Sequence, residues 1–195
     1  ISANHALNDI WAMAAQPQAA TVSITLPRMS ADLQTRTLRE LMEIANDVMA
    51  TAGAKIIGGH TSLGDELTIG FTGTGLAKVP VMLSGAKPGE ALILTKPIGS
   101  GTIMAAEMEG KAKGDDVIKC LADMTLSQAT ASQILAQSHA MTDVTGFGLA
   151  GHLRGLCDAS GVGAKLDLDA IPIMEGARRL SDQGIRSSLF DENRQ

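Results

Sequence analysis

Apolar residues recur at steps of three and four at Leu7, Ile10, Trp11 and Ala14, which predicts a helix over residues 2–14 capped by Ser2. Asp9 falls off that apolar stripe. Alternation over residues 21–26 predicts a strand. After Ser30 a second helical pattern, carried by Leu38, Leu41, Met42, Ala45, Val48 and Met49, runs to a stop at Gly53. A short strand over residues 55–57 then enters Gly58-Gly59-His60-Thr61, and residues 67–76 alternate well enough to form the next strand. The order of this half is helix, strand, helix, strand, strand.

The polar turn over residues 84–90, with Pro88 and Gly89, is the best candidate for a domain junction. It divides the chain into residues 1–84 and 85–195. Beyond it the pattern predicts a strand at 91–95, helices at 102–109, 115–122 and 128–137, a helix ending near Ser160, a strand at 163–168 and a helix over 175–183. Strands interleaved with helices point to an α/β or α+β layered fold with mixed sheets, not to a bundle or a sandwich. The chain opens inside an apolar helical pattern and closes on the polar run 191–195, so the expectation is a fold incomplete at both termini.

Composition narrows the function classes. A hydrophobic content of 45% over 195 residues suffices for a real core. The net charge of -5 and the scarcity of aromatic residues argue against a nucleic-acid partner, which needs a basic surface and stacking rings. Cys120 and Cys157 lie far apart and form no Cys-x-x-Cys pair, so they read as free thiols of a cytoplasmic protein. No apolar stretch reaches the ~18 residues expected of a membrane span.

Three places could carry chemistry. Asp9 follows Asn4 and Asn8 on the first helix, and such oxygen ligands suit magnesium; an exposed carboxylate on an amphipathic helix is the plainer alternative. Gly58-Gly59-His60-Thr61-Ser62 is either a glycine turn that lets backbone N–H groups reach phosphate oxygens or a hairpin closing between two strands. Asp143 precedes Gly146 and Gly148 at a predicted helix start. There a carboxylate could hold a divalent cation while free N–H groups and the helix dipole face an anion, or the turn could be ordinary capping. The 96–101 loop (KPIGSG) is a weaker anion candidate, lacking the order of a Walker A loop. Nucleophile-elbow and H-E-x-x-H patterns are both missing, so hydrolase and zinc-protease readings drop out. His5, His139 and His152 share no ligand spacing and read as structural.

Taken in order, NHALNDIWAM (4–13), GGHTS (58–62), ALILTKPIGSG (91–101) and AMTDVTGFGLAGH (140–152) resemble the successive motifs of the selenophosphate synthetase (selenide, water dikinase) family. The resemblance implies a two-domain fold like that of aminoimidazole ribonucleotide synthetase, shared with thiamine-monophosphate kinase and a hydrogenase maturation factor. It also implies a homodimer formed through the N-terminal sheets. Asp9 and Asp143 would bind Mg2+, and Asp9, Gly59, His60 and Thr61 would contact ATP. Selenide would be the second substrate. The family's reactive loop, with Cys or selenocysteine and a Lys, has no counterpart here, so no catalytic residue is assigned and the chain by itself is expected to be inactive. A related ATP-dependent enzyme acting on a purine precursor or thiamine phosphate, and a non-catalytic ATP-binding module, are the competing readings.

Overall fold

A computed structural model describes residues 1–194; Gln195, the last residue of the polar run, lies outside the described residues. The element order is α1 (Ser2–Trp11), β1 (Gln16–Pro27), α2 (Ala31–Thr51), β2 (Lys55–Gly64), β3 (Thr68–Leu76), α3 (Ser100–Met108), α4 (Gly114–Thr125), α5 (Ala129–Ile134), α6 (Gly148–Ser160) and α7 (Ala177–Asp182). The chain divides into two compact units. The first joins Ile1–Pro80 with Ser127–Ala136, and the second joins Val81–Leu126 with Gln137–Gln195.

The first unit is built on a three-stranded mixed sheet in the order β2-β1-β3, with β1 parallel to β2 and antiparallel to β3. Strand β1 buries Ala20, Val22, Ile24 and Leu26 on one face. Helix α1 packs there through Ala3, Leu7 and Trp11, and α2 through Met49, Leu38, Leu41 and Met42. The opposite face carries Thr21, Ser23 and Thr25, so period-two alternation separates an apolar, helix-covered side from a polar, open one. Ser30 caps α2, its hydroxyl accepting from the Leu33 N–H, and Gly53 (φ 82°) ends it in the left-handed region, as its sequence predicts. The cap expected from Ser2 does not form; Ser2 is the first helical residue and Ile1 takes the N-cap position without a side-chain cap.

Helix α1 is closed by Ala14 at φ 54°, with Ala14 N–H donating to Trp11 O and Ala15 N–H to Ile10 O. This left-handed position usually belongs to glycine, and a Cβ there costs roughly 1–2 kcal/mol. Ala14→Gly is therefore expected to stabilise the protein by about 0.5–1 kcal/mol once the greater chain entropy of glycine is offset. An unchanged urea midpoint would show that the bend carries no strain. Short helix α5 completes the first unit: Ser132 is buried and its hydroxyl donates to Trp11 O at 2.7 Å, while Ala129 packs against the α1 cluster.

The second unit is mainly helical. Ile103 and Ala106 of α3, Cys120 of α4, and Ala177 and Leu180 of α7 form its core with Met174 and Ile185. Neither strand expected here forms. Residues 91–95 and 163–167 have no regular structure and Leu168 opens a 3-10 turn, because apolar, β-prone sequence makes a strand only where a neighbour supplies the ladder. Among the described residues the sole pairing nearby is the isolated bridge Ile98–Ile173, with Ile98 N–H donating to Pro172 O and Met174 N–H to Ile98 O.

Candidate functional site

The glycine pair is not a turn. Strand β2 runs straight through it, and β2 and β3 each pair with β1 instead of closing a hairpin on one another. The β1–β2 register slips between Ala20, opposite Ile56, and Thr21, opposite Gly58, leaving Ile57 as the extra residue of a bulge. Gly59 comes two residues later, and a Cβ built on it would lie 2.1 Å from Val22 O. The missing side chain at Gly59 is therefore required by the neighbouring strand. At Gly58 a Cβ would meet open space.

Pairing partners in a parallel ladder share a face. Ser23–His60 and Thr25–Ser62 consequently lie on the open side, and the Thr25 and Ser62 hydroxyls are 2.9 Å apart. His60 and the Gly59 backbone line a shallow cavity of about 330 Å3 with Thr21, Ser23, Gly70 and Thr72. Thr61 pairs with Ile24 and belongs to the other face. Asp9 is exposed on α1, which packs on the helix-covered face, so the sheet separates it from His60. Within the first unit, then, the predicted ligands are not gathered into one pocket.

Asp143 is half-buried in the irregular segment leading to α6, with the Thr142 hydroxyl 3.5 Å from its Oδ1. Helix α6 begins at Gly148 without a side-chain cap. Part of the loop's hydrogen-bonding capacity is spent internally. Thr145 N–H donates to His152 Nε2 at 3.1 Å, the Thr145 hydroxyl lies 3.2 Å from the same atom, and Gly148 N–H donates to Thr145 O. His152 Nε2 accepts the Thr145 backbone N–H, and the imidazole thereby pins the loop to its own helix. The i, i+7 spacing of Thr145 and His152 across a helix start is the only signal that could have revealed this contact.

The 96–101 loop is not an anion cradle. The Lys96 ammonium donates to Asp123 O at 2.8 Å and to Leu126 O, capping the C-terminal carbonyls of α4, and burial pushes its pKa down. Gly99 (φ 126°) is required by the Ala177 side chain, 2.5 Å from where its Cβ would stand. Cys120 is fully buried, with its thiol pKa raised by burial, which suits a core residue and not a nucleophile.

Among the described residues no three acidic, histidine or cysteine side chains converge on a metal position. Asp9 and Asp143 each offer one carboxylate within their own unit. That donor set does not make a resident metal cage; it fits an ion that arrives with phosphate oxygens and water as its remaining ligands, the usual habit of magnesium. Among the described residues no helix is long and apolar enough to cross a membrane.

Comparison with known proteins accords with this fold. The chain is 37% identical over 189 residues, 95% of its length, to selenide, water dikinase of Caldanaerobacter subterraneus subsp. tengcongensis, and covers 54% of that protein. It is 38% identical over 180 residues, 90% of its length, to selenide, water dikinase of Trichlorobacter lovleyi, covering 51% of it. The chain thus spans about half the length of the curated relatives it matches. Solved structures share the architecture. Thiamine-monophosphate kinase from Stenotrophomonas maltophilia superposes with a TM-score of 0.74 at 23% identity, over 94% of this chain and 62% of that one. Hydrogenase maturation protein HypE in complex with ATP gives 0.76 at 22% identity, over 95% and 57%. Residues 1–77 match the AIR synthase related protein N-terminal domain and residues 87–188 its C-terminal domain, and the chain belongs to that family.

Proposed function

We propose that the protein carrying this chain is a selenide, water dikinase, converting selenide, ATP and water to selenophosphate, AMP and phosphate. The observation that carries the reading is the 33–38% identity to relatives of that name, sustained over at least 90% of the chain. The four motifs lie inside the stretches that match the family's two domain models, residues 1–77 and 87–188. Phosphoryl transfer concentrates negative charge, and magnesium, when bound with the nucleotide, neutralises it. In this reading Asp9 and Asp143 are each a carboxylate ligand offered to magnesium from its own unit, Asp9 from the side of the sheet away from the His60 cavity. Of the three residues expected to contact ATP, Gly59 and His60 line the cavity on the open face, whereas Thr61 lies on the other face of β2. The cavity beside His60 supports a ligand on the open face, where Thr21, Ser23 and Thr72 add hydroxyl donors. The uncovered sheet face also supports a homodimer, and the two free cysteines support a cytoplasmic location.

The test uses the full-length natural protein with ATP and magnesium, followed by 31P NMR. AMP and selenophosphate are expected only when selenide is added. ATP turnover that ignores selenide but responds to thiamine monophosphate or a purine precursor would replace this reading with another member of the family. Binding without any turnover would favour the non-catalytic module. Asp143→Asn is expected to weaken magnesium-dependent ATP affinity by about tenfold, equivalent to about 1.4 kcal/mol, with little change in folding. Equal affinities of the two forms in calorimetry would remove Asp143 from the site.

A further inference from the structure

The polar turn over residues 84–90 does more than join two stretches of chain. Its backbone donors are taken one after another by side chains. Ser160, at the end of α6, accepts from both Gly85 N–H (3.1 Å) and Ala86 N–H (3.2 Å) through one hydroxyl oxygen. Glu90 Oε2 accepts from Lys87 N–H at 2.8 Å. The other oxygen of Glu90 meets His139 Nδ1. The Lys87 N–H first, and His139 second, hold the Glu90 carboxyl below the usual carboxylate range.

The same turn runs beside the segment that leads to Asp143. Met141 N–H donates to Met82 O at 3.1 Å. Gly85, at φ 120°, comes so close that a Cβ would stand 2.5 Å from His139 O. Residues 139–141 are thus gripped by a backbone hydrogen bond, a glycine contact and the Glu90–His139 side-chain hydrogen bond, two residues before Asp143. All these groups belong to the second unit.

We infer that the 84–90 turn is a clasp that sets the position of Asp143, with Gly85, Glu90 and His139 as its positioning residues. None of the three touches substrate in this account; they act by fixing the backbone that carries the carboxylate. The clasp deepens the magnesium–ATP reading of Asp143 and, for its effect on ligand binding, rests on it. An irregular loop bearing a lone carboxylate otherwise loses conformational freedom when it binds a ligand, and that cost lowers affinity.

The test compares the whole chain with its Gly85→Ala and Glu90→Gln variants. Hydrogen exchange of the Met141 amide is measured in the free protein, alongside ATP affinity with and without magnesium. Exchange at Met141 is expected to rise up to about fivefold in Glu90→Gln, the upper range for a partly exposed side-chain contact, and further in Gly85→Ala. Exchange in α3, at Ile103, is expected to stay unchanged, which separates a released segment from a loosened unit. ATP affinity should fall in both variants only when magnesium is present. Glu90→Asp, which keeps the charge, should recover part of it. Because Gly85→Ala can simply fail to fold, Glu90→Gln decides alone in that event. Unchanged Met141 exchange in Glu90→Gln, or faster exchange with unaltered magnesium-dependent affinity, overturns the clasp. A wild-type chain that binds no ATP overturns the nucleotide reading instead, and the exchange comparison then decides the clasp.

Discussion

Gly59→Ala is expected to destabilise the protein by about 3 kcal/mol, the upper range for forcing a methyl group into a closed contact. The new Cβ would lie 2.1 Å from Val22 O and 2.8 Å from Val22 Cγ1, and the first of these is backbone that can move only if the β1–β2 ladder moves with it. Val22 stands in the buried row of the central strand, so a shift there disturbs its packing with Ile24 and Leu26 as well. Gly58→Ala is the control. Its Cβ meets nothing within 4 Å, and a small effect of either sign is expected. Urea denaturation of both variants is the measurement, and equal losses would refute the crowding argument. A practical result follows for testing the proposed ATP contact: Gly59→Ala is a poor probe of it, because lost binding could not be told from a broken sheet. His60→Ala and Thr61→Ala, both on exposed positions of β2, are the informative substitutions.

The second large effect is expected at Asp116. Its carboxylate is 7% exposed in the first turn of α4, where it complements the helix N-terminus, and Arg179 of α7 donates to its Oδ2 at 2.7 Å. The backbone of Gly176 lies against the same carboxylate, a built Cβ falling 2.4 Å from Cγ. Asp116→Ala leaves Arg179 without its partner and opens a gap between two helices that share a core. A loss of roughly 2–3 kcal/mol is expected, below the 3–5 kcal/mol of a fully buried pair because Arg179 keeps some solvent. The neighbouring pair Lys119–Glu175, 2.6 Å apart, is mostly exposed, so Lys119→Ala should have little effect on stability. If the two substitutions cost the same, burial is not what makes the Asp116 pair count.

The first unit was largely legible in its sequence because each of its elements has a local cause. Ser30 and Gly53 bound α2, and the alternation of Val22, Ile24 and Leu26 marks β1. The glycine pair misled for a physical reason. Gly-Gly before polar residues reads as a turn, whereas here Gly59 answers a contact with Val22, 37 residues earlier in the sequence, that no local pattern encodes. The absent strands at 91–95 and 163–168 teach the same lesson from the other side: a run such as Ala91-Leu92-Ile93-Leu94 states a propensity, but the ladder belongs to the partner. Asp9 and Asp143 could be singled out by residue type and setting. The neighbours that fix the Asp143 loop, His152, His139 and Glu90, could not, since each contact closes only once the helices and turns are in place.

Helix α5 sets the order in which this protein can be completed during its synthesis. The Trp11 carbonyl and the α1 cluster find their last partners in Ser132 and Ala129, which leave the ribosome only after α3 and α4 have been made. At about 5–20 residues per second, the sheet and its two helices therefore wait several seconds for the piece that closes them. During that interval the side of α1 that α5 will cover is open to chaperones and to wrong contacts.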